Sequence, residues 1–372
     1  MGEFEVSLGA HIRELRKRLG MTQKALANRV GVLHHQVISQ IEKGKREVKA
    51  WELAIIARSL HLEVAELLSA GPARPQVLWR ARGEAGYRET EAEFLKHCRE
   101  YHLLEKLCDS EEPEELPQAR ADNSKKARWL ADQYVAQWQL GSQPAASLIP
   151  ALENRFGVYV WYVSLTGKGS GACARGEFGH GILINGDEAP WRRNYSLAHE
   201  LFHLLTWDHF GAENLKQDED LWRQAERFAD AFASQLLLPT DPVLGRFEPN
   251  VHDGRITYLS LIEIAREFDV STEALLWRLA WLQRVPKEEV ERVLNDKSFR
   301  RLDRSTMHNY WREVPRLPER FVRLAFGAYQ RGRLTKSRLA ELLDTSLFDL
   351  ESVLAEYGVE DHEGYATAVP AT

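Results

Sequence analysis

The sequence predicts an α+β fold, mostly α, in which a small β-sheet lies beside a buried helix carrying His-Glu-x-x-His. Three observations predict it. The run from Tyr195 to Leu205 is apolar and helix-forming, and it places His199 and His203 four residues apart with Glu200 between them. Two β-rich stretches, 157–163 and 181–185, come just before it, whereas the rest of the chain has helical periodicity. The first 70 residues break into short helical segments punctuated by glycine, the pattern of a helix-turn-helix. These divisions give an organisation of 1–70 (helix-turn-helix), 71–123 (helical linker), 124–240 (the domain carrying the sheet and His-Glu-x-x-His) and 241–372 (helical C-terminal region).

The chain has 372 residues, 44% hydrophobic and 28% charged, enough for two or three cored domains. No apolar run reaches the roughly 20 residues that span a bilayer, and Met1-Gly-Glu-Phe-Glu lacks the basic-then-apolar layout of a signal peptide. A cytoplasmic protein without a membrane partner is expected. Cys98, Cys108 and Cys173 form no C-x-x-C pair, which argues against a disulfide framework or a cysteine metal site. The net charge of −6 is unevenly spread, because 11–49 holds ten lysines and arginines against three glutamates. A short basic module on an acidic chain suits double-stranded DNA, although a solvated charged face gives the same count.

In the basic module, Leu8, Ile12, Leu15 and Leu19 share one helical face, and Gly20 stops that helix. Thr22 caps a second helix that ends at Gly31, and a third runs over about 34–42. Residues Thr22, Gln23, Leu26, Ala27, Gly31, Ile38, Ser39, Ile41, Glu42 and Gly44 resemble the Cro/CI-type (Xre) helix-turn-helix. The chain departs from that pattern by one extra residue between Gly31 and Glu42, and by Leu33 where a capping serine is expected. The resemblance implies that Gln23, His34, His35, Gln36 and Ser39 face DNA bases, while Arg16, Lys17, Lys43 and Arg46 hold phosphates. A homodimer is compatible with such a domain, as is a role in protein interaction alone.

The small residues and prolines of 69–75 mark a domain boundary. Helices are expected over 79–107, 125–140 and 144–152, with an acidic, proline-containing stretch at 111–117. The two strands form a small antiparallel sheet. Its second strand, Gly181, Ile182, Leu183, Ile184 and Asn185, is expected to be the edge along which an extended substrate pairs. The glycine-rich 167–171 lacks a following Lys-Ser and helix, so it reads as a flexible hairpin turn and not a phosphate cradle.

Two imidazoles on one helical face suit Zn²⁺, and a glutamate beside the first can take a proton from zinc-bound water. A third ligand must come from downstream. His209 stands where H-E-x-x-H-x-x-G-x-x-H places its third histidine, but Thr206 replaces the turn glycine. Glu226 stands on a second helix four residues before Asp230, so one carboxylate can bind metal while the other holds a ligand histidine. Glu226 is the favoured ligand and His209 the alternative. Tyr195, His180 and His209 are the neighbours in sequence that offer an oxyanion donor.

The run Arg193-Asn-Tyr-Ser-Leu-Ala-His-Glu-Leu-Phe-His-Leu-Leu, with the later Glu226-x-x-x-Asp230-x-Phe-Ala-x-x-Leu-Leu-Leu-Pro239, resembles the ImmA/IrrE zinc metallopeptidases. That resemblance implies His199, His203 and Glu226 as zinc ligands, Glu200 as catalytic base, Asp230 in support, and a repressor-type protein as substrate.

Beyond Pro239 two segments, 261–275 and 335–346, repeat the helix-turn-helix rhythm. A helical bundle packed on the peptidase domain is the expected use, with the arginines at 300, 301, 304, 312, 316, 320 and 323 as a further basic run. The functional expectation is a DNA-binding regulator with a zinc endopeptidase domain that cleaves a helix-turn-helix repressor. The alternative is a transcription factor or antitoxin-like regulator whose peptidase-like domain senses a ligand or binds a protein without proteolysis.

Overall fold

A computed structural model describes residues 3–68, 75–80, 87–165, 169–306 and 310–359. The expected turn at 167–171 lies partly outside them. The chain divides into two compact units, residues 1–99 with 113–313, and residues 100–112 with 314–372.

The first unit opens with five helices, α1 (Glu3–Arg18), α2 (Gln23–Val30), α3 (His35–Glu42), α4 (Ala50–Ser59) and α5 (Val64–Leu68). Thr22 Oγ1 accepts the Ala25 N–H at 3.0 Å and starts α2, and Gly31 closes it at φ 77°, a left-handed conformation that favours glycine. α3 begins at His35 with no side-chain cap, where the sequence lacks its serine. Leu26, Ile38, Ile41 and Ile56 form the core of this domain.

Next come β1 (Gln76–Trp79) and α6 (Arg88–Leu107), whose last turns belong to the second unit. The helix expected over 79–107 thus starts at Arg88 and is preceded by a strand. Helices α7 (Ser124–Gln137) and α8 (Pro144–Arg155) lead to β2 (Val158–Val163), β3 (Gly171–Gly176) and β4 (Gly179–Asn185). The sheet order is β1-β3-β4-β2, and β2 runs parallel to β4 while β3 is antiparallel to both its neighbours. The sheet is therefore mixed rather than antiparallel. It also corrects the expectation for Gly181, Ile182, Leu183, Ile184 and Asn185: β4 is an inner strand, and with β3 and β2 holding both its edges no peptide can pair with it.

After the sheet come α9 (Pro190–Leu205), α10 (Trp207–Phe210), α11 (Ala212–Gln217), α12 (Glu219–Leu237) and α13 (Thr240–Phe247). One apolar core runs from Leu78 through the sheet, α9 and α12 to Phe299, so α14 (Tyr258–Glu267), α15 (Thr272–Trp281), α16 (Lys287–Asn295) and α17 (Lys297–Thr306) pack into the first unit. Thr257 and Ser271 cap α14 and α15. Buried Arg278 donates to Leu238 O and Thr240 Oγ1, both at 2.9 Å, tying α15 to the end of α12.

The second unit holds α18 (Glu319–Gln330), α19 (Lys336–Leu342) and α20 (Leu350–Glu356) with the end of α6. Tyr101 meets Phe321 edge-on at 5.4 Å, and Arg333 pairs with Asp109 at 2.6 Å. The expected basic run is largely used internally, since Arg316, Arg320 and Arg323 pair with Asp344, Glu105 and Glu319, and Arg312 in the first unit pairs with Asp269. Among the described residues no helix is long and apolar enough to cross a membrane.

Candidate metal centre and nucleic-acid interface

Helix α9 starts with Pro190 at its first turn and is buried almost all round, against β3 and β4 on one side and α12 on the other. Its polar centre is therefore costly unless it is used. His199, Glu200 and His203 are buried to within 1% of full burial. Helix α12 is started by Asp218, whose side chain accepts the Leu221 N–H at 2.9 Å, and it lays Glu226 and Asp230 along α9 one turn apart.

The ligand atoms converge. His199 Nε2 and His203 Nε2 are 3.2 Å apart, and the Glu226 carboxylate lies 3.4 Å from the first and 3.3 Å from the second. Bonds of about 2.0–2.1 Å in a tetrahedral arrangement put neighbouring ligand atoms about 3.3 Å apart, so the three donors fit the edges of a zinc site. His199, His203 and Glu226 make up the candidate metal group among the described residues. His209, on α10, is not among them.

Asp230 supports the centre. Its Oδ1 lies 3.0 Å from His199 Nδ1, which fixes that nitrogen as the N–H donor and turns the Nε2 lone pair toward the cluster. Tyr195 donates its hydroxyl to the same oxygen at 3.0 Å, and Arg80 approaches it at 3.5 Å while its guanidinium lies 5.7 Å from the Tyr195 ring. Burial lowers the His199 pKa, but its bonds to Asp230 and Glu226 outweigh that and push it up to about 9. Burial raises the Glu226 carboxyl, and the two histidines more than reverse this, holding it well below the usual carboxylate range. The two carboxylates thus create a site that wants a cation.

Glu200 is different in kind. It is fully buried, and among the described residues no nitrogen or oxygen hydrogen-bonds to either carboxyl oxygen, the buried Cys173 thiol being a polar neighbour. Burial pushes its pKa up, the histidines pull it down and Glu226 adds to the rise. β3 reaches it only because residue 171 is glycine: a Cβ there would stand 2.9 Å from Leu183 O and 3.2 Å from Glu200 Cγ. Of the oxyanion donors suggested by sequence, Tyr195 is beside the cluster. His180 pairs in register with Arg175, at the far end of β4 from Gly171, about 13 Å along the strand.

Sequence reasoning missed Arg80 and Gly171. Arg80 follows a strand that reads as the start of a helix and meets Asp230 150 residues later, so no local pattern could link them. Gly171 was visible only as one member of a glycine-rich turn.

In the helix-turn-helix domain His34, His35 and Gln36 are exposed at the start of α3, Ser39 is half-buried, and Lys17 and Lys43 are exposed. The phosphate role expected of Arg16 is corrected. Its guanidinium is buried, donating to Glu42 at 2.5 and 2.8 Å and to Met21 O at 2.6 Å. Gln23 likewise turns inward, its amide donating to Glu42 at 2.8 Å. Arg46 is half-buried and committed to Glu52 at 2.8 and 3.2 Å. Two buried carboxylates draw these side chains inward, Glu42 taking Arg16 and Gln23 and Glu52 taking Arg46, because their charges must be satisfied inside the domain.

Fold and site together give a helix-turn-helix domain joined to a domain built around a candidate metal centre. Comparison with known proteins agrees. Residues 12–67 match the helix-turn-helix family model, and residues 153–280 match Peptidase M78, the IrrE N-terminal-like domain. The chain thus joins an Xre-type helix-turn-helix domain to an ImmA/IrrE-type domain. It is similar to the radiation response metalloprotease IrrE of Deinococcus deserti, with 35% identity over 111 residues, covering 27% of this chain and 36% of that protein. The chain therefore spans about a third of the length of the curated relative it matches.

Proposed function

We propose that this protein is a DNA-binding transcriptional regulator whose second domain is a zinc-dependent endopeptidase acting on a protein, a helix-turn-helix repressor being the partner that the ImmA/IrrE resemblance suggests. The observation that carries the reading is the convergence of His199, His203 and Glu226 at tetrahedral spacing, with the fully buried Glu200 carboxylate on the helix of the two histidines.

His199, His203 and Glu226 would hold the ion, and Asp230 keeps the His199 ring in the tautomer that leaves Nε2 free to bind. When bound, zinc supplies a Lewis acid that polarises the scissile carbonyl and lowers the pKa of water. Glu200 accepts the proton of the attacking water on a carboxylate oxygen and passes it to the departing amide nitrogen, so the bond breaks with a neutral amine leaving. Of the three oxyanion donors suggested by sequence, the Tyr195 hydroxyl is the one beside Asp230, and it is assigned that role. Burial of α9 keeps bulk water from Glu200 and preserves its basicity toward one water. The exposed turn at His34, His35 and Gln36 faces the major groove, with Lys17 and Lys43 on phosphates.

A reporter placed behind the gene's own upstream region tests the joint reading. Glu200→Gln should retain operator binding in gel shift yet lose the change in expression that wild type produces. Identical reporter output from both proteins would contradict it.

A further inference from the structure

The domain matched by the peptidase family begins at residue 153, so its own strands are β2, β3 and β4, with β3 as an outer strand beside Glu200. That edge is filled by β1, a strand of four residues supplied from upstream of the domain. β1 lies antiparallel to β3 in the register Gln76–Arg175, Val77–Ala174, Leu78–Cys173 and Trp79–Ala172. The pairing continues one residue further, where Arg80 N–H donates to Gly171 O at 3.4 Å. Gly171 is the residue that packs on Glu200, and the Arg80 side chain reaches Asp230 and Tyr195. The strand thus runs along the sheet edge and delivers a basic side chain to the rim of the metal cluster.

We infer that β1 and Arg80 occupy, in cis, the strand-binding edge of the peptidase domain, and that an incoming protein must displace them with its own extended segment, which carries apolar side chains followed by a lysine or arginine. The inference rests on the peptidase reading. An extended peptide gains affinity from main-chain bonds at a free sheet edge, and here the edge nearest the cluster is already paired. The same geometry sets the chemistry of the replacement: Val77 and Leu78 are buried, and Arg80 meets the Asp230 carboxylate. β1 is held from outside the sheet by Trp79, which stacks on Tyr87 at 4.2 Å and donates to Glu91 at 3.2 Å. Glu89, between these two anchors, receives Arg29 of the helix-turn-helix domain at 3.0 Å. One short stretch therefore ties the edge strand to the DNA-binding domain. A tethered strand competes at an effective concentration on the order of millimolar, enough to shield the edge from weak peptides.

The test locks the strand. Gln76 and Arg175 are direct partners, and opposed residues of an antiparallel pair lie about 4.5–5.5 Å apart, within reach of a disulfide. The three native cysteines are buried. Full-length Gln76→Cys/Arg175→Cys/Glu200→Gln, purified with its metal, is titrated with a fluorescent Gln-Val-Leu-Trp-Arg peptide, oxidised and then reduced. The expected result is binding about tenfold or more tighter after reduction. Equal affinity in both states, or no binding in either, overturns the inference. The same lock with Glu200 intact separates the two readings. Cleavage of a protein partner at equal rates, locked and unlocked, refutes cis occupancy and leaves the peptidase standing, whereas reduction-dependent peptide binding without any cleavage does the reverse.

Discussion

At the scale of single residues the site separates groups that look alike in sequence. Glu226 and Glu200 are both glutamates on helices at the cluster, but half-buried Glu226 is held between two imidazoles while no nitrogen or oxygen of the described residues hydrogen-bonds to the fully buried Glu200 carboxylate. Purified protein should therefore carry about one zinc per chain. Glu226→Gln should lose most of it, since the amide brings no negative charge to the ion, and His209→Ala should keep it. Metal analysis of the two variants decides the matter, and an empty site in His209→Ala would refute the ligand assignment. Gly171→Ala should impair the site from the other side, by about 1–3 kcal/mol of overpacking against Leu183 and Glu200. Chemical denaturation gives the stability loss. The His199, Glu200, His203 and Glu226 set was legible from sequence because helical spacing is local and the chemistry of each side chain is its own. Arg80 was not, because its place depends on which strand its neighbours join.

At the scale of elements, α2, α3, α9 and α12 were legible from periodicity, α2 also from its Thr22 cap, whereas β1 and β3 were not. β3 reads Gly-Ala-Cys-Ala-Arg-Gly, with little intrinsic preference for a strand, and it is extended because β4 and β1 flank it and α9 packs on it. The direction of β2 against β4 depends on the path of the chain between them, which no local pattern encodes. In the helix-turn-helix domain the buried Glu42 organises α1, α2 and α3. Burial raises its pKa, but hydrogen bonds from Arg16 and Gln23 outweigh that and hold it below 4.5, and Glu52 is lowered likewise against burial by Arg46 and the Lys49 N–H. A depressed carboxylate stabilises the fold fully above its unfolded pKa and loses that contribution as pH falls through its folded value. Hydrogen exchange in 8–60 should therefore be insensitive to pH above about 5, after correction for intrinsic rates, and lose protection below about 4.5. Glu42→Ala leaves the buried Arg16 charge without its carboxylate and should cost about 3–5 kcal/mol, read as loss of protection in the same segment.

At the scale of the molecule, the basic module and the peptidase-type domain are two functions on one chain. Binding of the full chain to its operator should weaken steeply with salt, and Lys43→Ala should reduce the slope of log affinity against log salt by about one, as expected for one lost phosphate contact. In the proposed function, proteolysis depends on the buried Glu200. The most direct measurement captures partners with Glu200→Gln protein, which keeps its metal because Glu200 is not a ligand, and then exposes each partner to wild type and mutant with mass spectrometry for new termini. The expected result is a partner cut by wild type and left whole by Glu200→Gln. Partners left intact by metal-loaded wild type, or cut equally by both, would contradict it.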